Sequence, residues 1–230
     1  MVKLGLFLFY FNEDITEFAL LNSTEFVVLP IDLSRETDHT VYFESRGYLL
    51  LEESMIPEDC THIGFITPSV LRKSRRFQSI KQFQRFVHRI LQTGVDDSCI
   101  IGLGMTCSAL PLMYSQHDKA IIVLWNQLLE SLDLLQFQNQ HFMNAHSNHF
   151  FMGKSRAKEF LAWMHRCIEC INTWKEPFQT LVYMDSKYKG FLLKDGLIQI
   201  RTGHPHYTFH AFLCERLIGL FAKVNQLNIL

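Results

Sequence analysis

The densest group of chemically useful side chains lies between residues 72 and 89. Arg72, Lys73, Arg75, Arg76, Lys81, Arg85 and Arg89 fall there without one acidic residue among them. Guanidinium and ammonium groups form charge-assisted hydrogen bonds to phosphate oxygens, so such a run is suited to neutralising an anion. Its position sharpens the expectation. It directly follows His62 to Ile66, a short apolar strand pattern closed by Thr67, Pro68 and Ser69. In α/β folds a strand's carboxyl end, the next helix start and nearby basic side chains converge on one anion site. A solvated basic helix face is the simpler alternative.

Two carboxylates are candidates for proton transfer. Glu215 sits among Phe212, Leu213, Leu217 and Ile218; burial there would either pair it with Arg216 or raise its pKa into the range of a usable base. A core ion pair with no catalytic part is the competing role. Asp185, in YMDSKYKG, is the second candidate. Eleven histidines include two clusters, His141, His146 and His149, and His204, His206 and His210, but no HExxH spacing accompanies them. No GxSxG elbow or Walker loop occurs, and the GLG of residues 102–104 lacks dinucleotide spacing. No metal ligands are therefore assigned. Of the six cysteines only Cys167 and Cys170 are close, with no second CxxC, which points to free thiols in a reducing, cytoplasmic compartment.

The elements that must position these groups follow from patterning. With 230 residues, 48% apolar and 20% charged, the chain reads as a single domain with one good core. Lys3 to Tyr10 is a strand buried on both faces, followed by a short helix capped by Asp14 and a second strand, Glu25 to Leu29, closed by Pro30. Tyr42 to Ser54 reads as an amphipathic helix with Tyr42, Leu49, Leu50 and Met55 inward. The third strand then places its end beside that of the first, a doubly wound α/β arrangement. Further strands are expected at residues 98–104 and 149–153, with helices at 120–137, 158–174 and 209–225; residues 141–149 read as a polar loop. The net charge of −1 argues against a nucleic-acid binder, and no apolar run is long enough to span a bilayer. A nucleic-acid module on residues 72–89 would betray itself by steep salt dependence.

Four segments together carry a family resemblance: YLLLEES, the IGF strand with its arginine-rich turn, NHFFMGKSRAKEFLAWM, and HAFLCERLIGLFAKVNQLNIL at the end. In this order they resemble a compact GT-A-type glycosyltransferase of the sort found in capsular-polysaccharide and large-virus glycan pathways, in which N-x-F-x-x-x-K leads into an F-x-x-W helix and an F-x-x-ERL helix closes the domain. The resemblance implies a GT-A-like mixed sheet flanked by helices. It implies a UDP- or GDP-sugar donor on residues 1–104, held by Phe9, Tyr10, Asn12 and Arg46, with Thr67, Ser69, Arg72, Arg75 and Arg76 at the diphosphate. An oligosaccharide or glycoprotein acceptor would lie over residues 105–230, near His146, Asn148, Asp185 and His206. Glu215 or Asp185 would be the base. Such enzymes commonly hold a manganese or magnesium ion with Asp-x-Asp at the third strand, where this chain has Ile66-Thr67-Pro68-Ser69. Those residues make no hard-cation site, and the basic turn is the substitute. A non-catalytic glycan- or partner-binding domain of the same fold is the alternative.

Overall fold

The computed structural model describes residues 2–35, 38–74, 76–94, 96–103, 106–145, 149–188 and 197–230. A six-stranded mixed sheet runs through it. β1 (Leu4–Tyr10) is followed by the short helix α1 (Thr16–Ala19) and by β2 (Phe26–Asp32). β3 (His62–Ile66) leads through α2 (Val70–Lys73) into α3 (Ile80–Gln92), β4 (Cys99–Gly102) and β5 (Thr106–Ser108). Then come α4 (Ala109–Gln116), α5 (Ala120–Ser131), β6 (Met143–Ala145), β7 (Phe150–Gly153) and α6 (Lys154–Asn172). The chain ends with α7 (Phe178–Tyr183), α8 (Leu197–Thr202), α9 (Phe209–Cys214), α10 (Leu217–Val224) and β8 (Asn228–Ile229).

The sheet order is β2-β1-β3-β7-β4-β8, with β7 antiparallel to both neighbours and the other pairings parallel. β5 and β6 form a separate antiparallel ribbon. β1 shows why it is central. Its alternate residues Leu4, Leu6 and Leu8 pack under α3 with Phe83 and Val87, whereas Phe7, Phe9 and Phe11 enter a larger core on the other face with Phe65, Tyr48 and Phe160. A two-residue side-chain period with both faces covered gives the continuous apolar run seen in the sequence. β2 continues past Pro30 to Asp32; as an edge strand it tolerates the missing N–H.

Three expected elements differ. Thr40–Leu50 is 3₁₀-helical rather than α-helical, and it breaks at Phe43, whose φ of 53° and ψ of −127° fit no helix. Met55 is exposed, not inward. The expected polar loop contains β6, since Asn144 and Ala145 are buried against the C-terminal helices. The last helix is two, α9 and α10, parted at Glu215 and Arg216. Asn144 stabilises the break, donating to the Glu215 carbonyl at 2.9 Å and accepting the Gly219 N–H at 3.1 Å. Gly219 permits that approach, because a Cβ there would stand 2.6 Å from the Met143 carbonyl oxygen. All six cysteines are free thiols. Among the described residues no helix is long and apolar enough to cross a membrane.

Candidate active site

From β1 the chain moves to β2 on one side, and from β3 it moves towards β4 on the other, so the space beyond their adjacent carboxyl ends is a topological switch point. A cleft of about 180 Å³ opens there. Phe9, Phe11 and Glu13 line it from β1 and its exit, and Thr67, Ser69, Arg72 and Lys73 from the exit of β3. Phe43 and Glu44 enter from the broken 3₁₀ segment, and Tyr188, Arg201, Tyr207, Phe212 and Glu215 from the C-terminal part. A second groove of about 540 Å³ shares Phe11, Glu13 and Arg201 with the first and adds Asn12, Arg46 and Gln199. Together they span the size range that encloses a nucleotide-sized ligand.

The walls are aromatic and the rim is charged. Phe11 packs against Phe43 at 5.1 Å and Phe43 against Tyr207 at 6.2 Å; Tyr188 and Tyr207 both meet Phe212. Arg201 and Arg46 lie over the Phe11 ring at 4.9 and 5.1 Å. Phe9 forms the floor, and Gly47 lets the 3₁₀ segment rest on it, since a Cβ there would stand 2.5 Å from the ring.

Each carboxylate has a different setting. Glu13 is committed to structure: Oε1 accepts from Arg201 at 3.1 Å and Oε2 takes the Phe11 N–H. Glu215 accepts from Nη1 of Arg216 at 2.9 Å. Arg216 is fully buried, also donating to the Phe212 carbonyl and lying 3.4 Å from His117 Nε2. Glu215 thus serves as the ion-pair carboxylate that burial beside Arg216 permits. Glu44 makes no hydrogen bond or ion pair among the described residues and faces the cleft half-buried. Burial raises its pKa above the ordinary carboxylate range; Lys73 and Arg201 oppose the rise, and Glu215 and Glu13 add to it.

At the end of β3 a hydroxyl chain replaces the acids of a metal motif. Thr67 Oγ1 lies 2.7 Å from Ser69 Oγ and 2.9 Å from Nε2 of the buried His149. Two hydroxyls and a proline offer no hard-cation site, and among the described residues no three of His, Cys, Asp and Glu gather in ligating positions. Among the described residues, the end of β3 does not fit a resident metal.

The cleft brings together Phe9, Thr67, Ser69, Arg72 and Glu215 of the expected set, and Asn12 and Arg46 line the adjoining groove. Arg46 differs in role: it is buried, donates to the Leu33 carbonyl and braces Phe11. Tyr10 and Arg76 do not line the cleft; Arg76 reaches the Gly102 carbonyl and stacks on Phe86. Asp185 is exposed and closes a turn to the Lys187 N–H, and His206 meets the Tyr183 carbonyl; neither is among the residues that line the cleft. Arg75, His146 and Asn148 lie outside the described residues. Lys73, named in the basic run, lines the cleft as well, whereas Glu13, Phe43, Glu44 and Arg201 are cleft residues that sequence reasoning missed. Glu44, an acid wedged into VYFES, carries a faint signal, and Arg201 carries none. Comparison with protein-family models, curated proteins and solved structures finds no match to this chain.

Proposed function

We propose that this chain is a glycosyltransferase that binds a nucleotide-sugar donor in the cleft beyond β1 and β3 and transfers the sugar to a glycan hydroxyl. One observation carries the reading: three cations, Arg72, Lys73 and Arg201, ring an aromatic-walled cleft at the switch point of a mixed α/β sheet. The diphosphate of a UDP- or GDP-sugar would meet those cations and the Thr67 and Ser69 hydroxyls, which stabilise the charge of the departing nucleoside diphosphate. The base and ribose would lie in the groove over Phe11 and Asn12, and the acceptor would approach along Tyr188, Tyr207 and Phe212. Positioning and charge neutralisation are the contributions these residues make to the transfer.

A second reading, a non-catalytic glycan binder, is favoured by the same aromatic walls and by the absence of Asp-x-Asp. Thermal shift with a panel of nucleotides and nucleotide sugars, with and without manganese, separates the two, because a ligand of the folded state raises the melting temperature by mass action. The transferase reading expects stabilisation by one nucleoside diphosphate family, lost in Arg72→Ala. Stabilisation by oligosaccharides alone would favour the binder.

A further inference from the structure

Three carboxylates face one cleft, and among the described residues only one of them is uncommitted. Glu13 is held by Arg201 and the Phe11 N–H, and Glu215 by the buried Arg216. An Arg-paired carboxylate is a weak base, because accepting a proton breaks the ion pair. Glu44 has no such tie among the described residues. Its carrier is unusual as well. The preceding Phe43 holds φ at 53° and ψ at −127°, a strained backbone state for an aromatic residue that persists only when its surroundings enforce it. Those surroundings are cleft residues: the Phe43 ring is packed by Phe11, Tyr207 and the Arg201 guanidinium. The strain thus sits at the residue that delivers Glu44 to the site.

Resting on the transferase reading, we propose that Glu44, rather than Glu215 or Asp185, is the catalytic base that accepts the proton of the acceptor hydroxyl. In the step, the acceptor O–H bond breaks and its proton passes to a Glu44 oxygen. The acceptor oxygen bonds to the anomeric carbon, and the bond from that carbon to the diphosphate oxygen breaks. The nucleoside diphosphate leaves with the electron pair, its charge met by Arg72, Lys73 and Arg201. The ionised carboxylate acts, and its raised pKa makes it a stronger base than an exposed glutamate. Besides burial, the groups that set its titration are Lys73 from α2, Arg201 from α8, Glu13 beyond β1, and Glu215 between α9 and α10.

The test compares wild type with Glu44→Gln for donor binding and for transfer to an oligosaccharide acceptor, using the nucleotide sugar that stabilises the wild type. Glu44→Gln is expected to keep the donor-induced thermal shift and lose about 100-fold or more in kcat, the usual worth of a general base. The acid limb of the wild-type pH profile should lie above the ordinary glutamate range. Should the variant unfold, Glu44→Ala supplemented with formate takes its place: restored turnover supports the assignment, and a folded variant active without formate overturns it. Glu44→Gln that turns over within threefold of wild type likewise overturns the Glu44 assignment and leaves the transferase intact. A wild type that binds and turns over no nucleotide sugar overturns both.

Discussion

Glu13 and Arg201 stand 188 positions apart in sequence and meet at 3.1 Å on the rim of the cleft. The pair ties the exit of β1 to α8, and Arg201 covers the Phe11 and Phe43 rings while it does so. One of the three cleft cations is therefore held in place by residues from both ends of the chain.

Arg201→Ala should separate binding from folding. The ion pair is partly exposed, so it is worth under about 1 kcal/mol, and each cation–π contact about 0.5 kcal/mol at such a site. Urea denaturation is expected to show a loss of about 1–2 kcal/mol, with nucleoside diphosphate affinity falling at least about tenfold. Unchanged affinity would remove Arg201 from the site.

Glu215 and Glu44 should respond to the same substitution with opposite signs. Glu215→Gln leaves the buried Arg216 without its counter-charge, and breaking such a pair from one side costs roughly 3 kcal/mol. Glu44→Gln removes an uncommitted, half-buried charge. Burial raises the pKa of Glu44 in the folded state, so the folded chain holds that proton more tightly than the unfolded one. The resulting stability is fully present below the unfolded glutamate value of about 4.3 and is lost as pH rises through the raised folded value. Glu44→Gln is expected to melt at or above the wild-type temperature at pH 7, with the difference closing towards pH 4. A large drop in melting temperature at pH 7 would show that Glu44 has a structural partner.

His210 supplies the opposite linkage. It is buried against Tyr42 and Tyr183 with Nδ1 3.1 Å from Thr208 Oγ1, and burial, aided by His204, lowers its pKa to about 3. The unfolded imidazole titrates near 6.5, so its contribution is full above that pH and is lost as pH falls towards about 3. Stability should decline on this account by at most about 1.4 kcal/mol per pH unit. His210→Gln should flatten that stretch of the stability curve, and an unaltered curve would exclude His210 as its source.

Strand patterning is legible wherever both faces are buried. β1, β3 and β7 fall within the expected ranges because apolar runs of four to seven residues bounded by turns leave little choice. The 3₁₀ segment defeats the same reasoning, because Tyr42, Leu49 and Leu50 satisfy helical spacing while the break at Phe43 is imposed by tertiary neighbours. The split between α9 and α10 is invisible for a related reason: Asn144 stabilises it from 71 residues away. In the site, the end of β3 and Arg72 can be placed because strand ends and charge runs are local signals. Glu13, Glu44 and Arg201 are isolated in sequence, and only the fold makes them neighbours.

The sheet acts as a partition. Every aromatic residue of the cleft wall belongs to the core on the side of Tyr48 and Phe65, and none to the core beneath α3. Drift in the α3-side interior meets the cleft at the basic turn, whose Ile66 and Val70 pack there, and leaves the aromatic walls alone. Drift in the opposite interior reshapes what the molecule can hold. The shape of the cleft in this architecture can be retuned from inside the core, by the volume of a phenylalanine or tyrosine, with no charged residue touched.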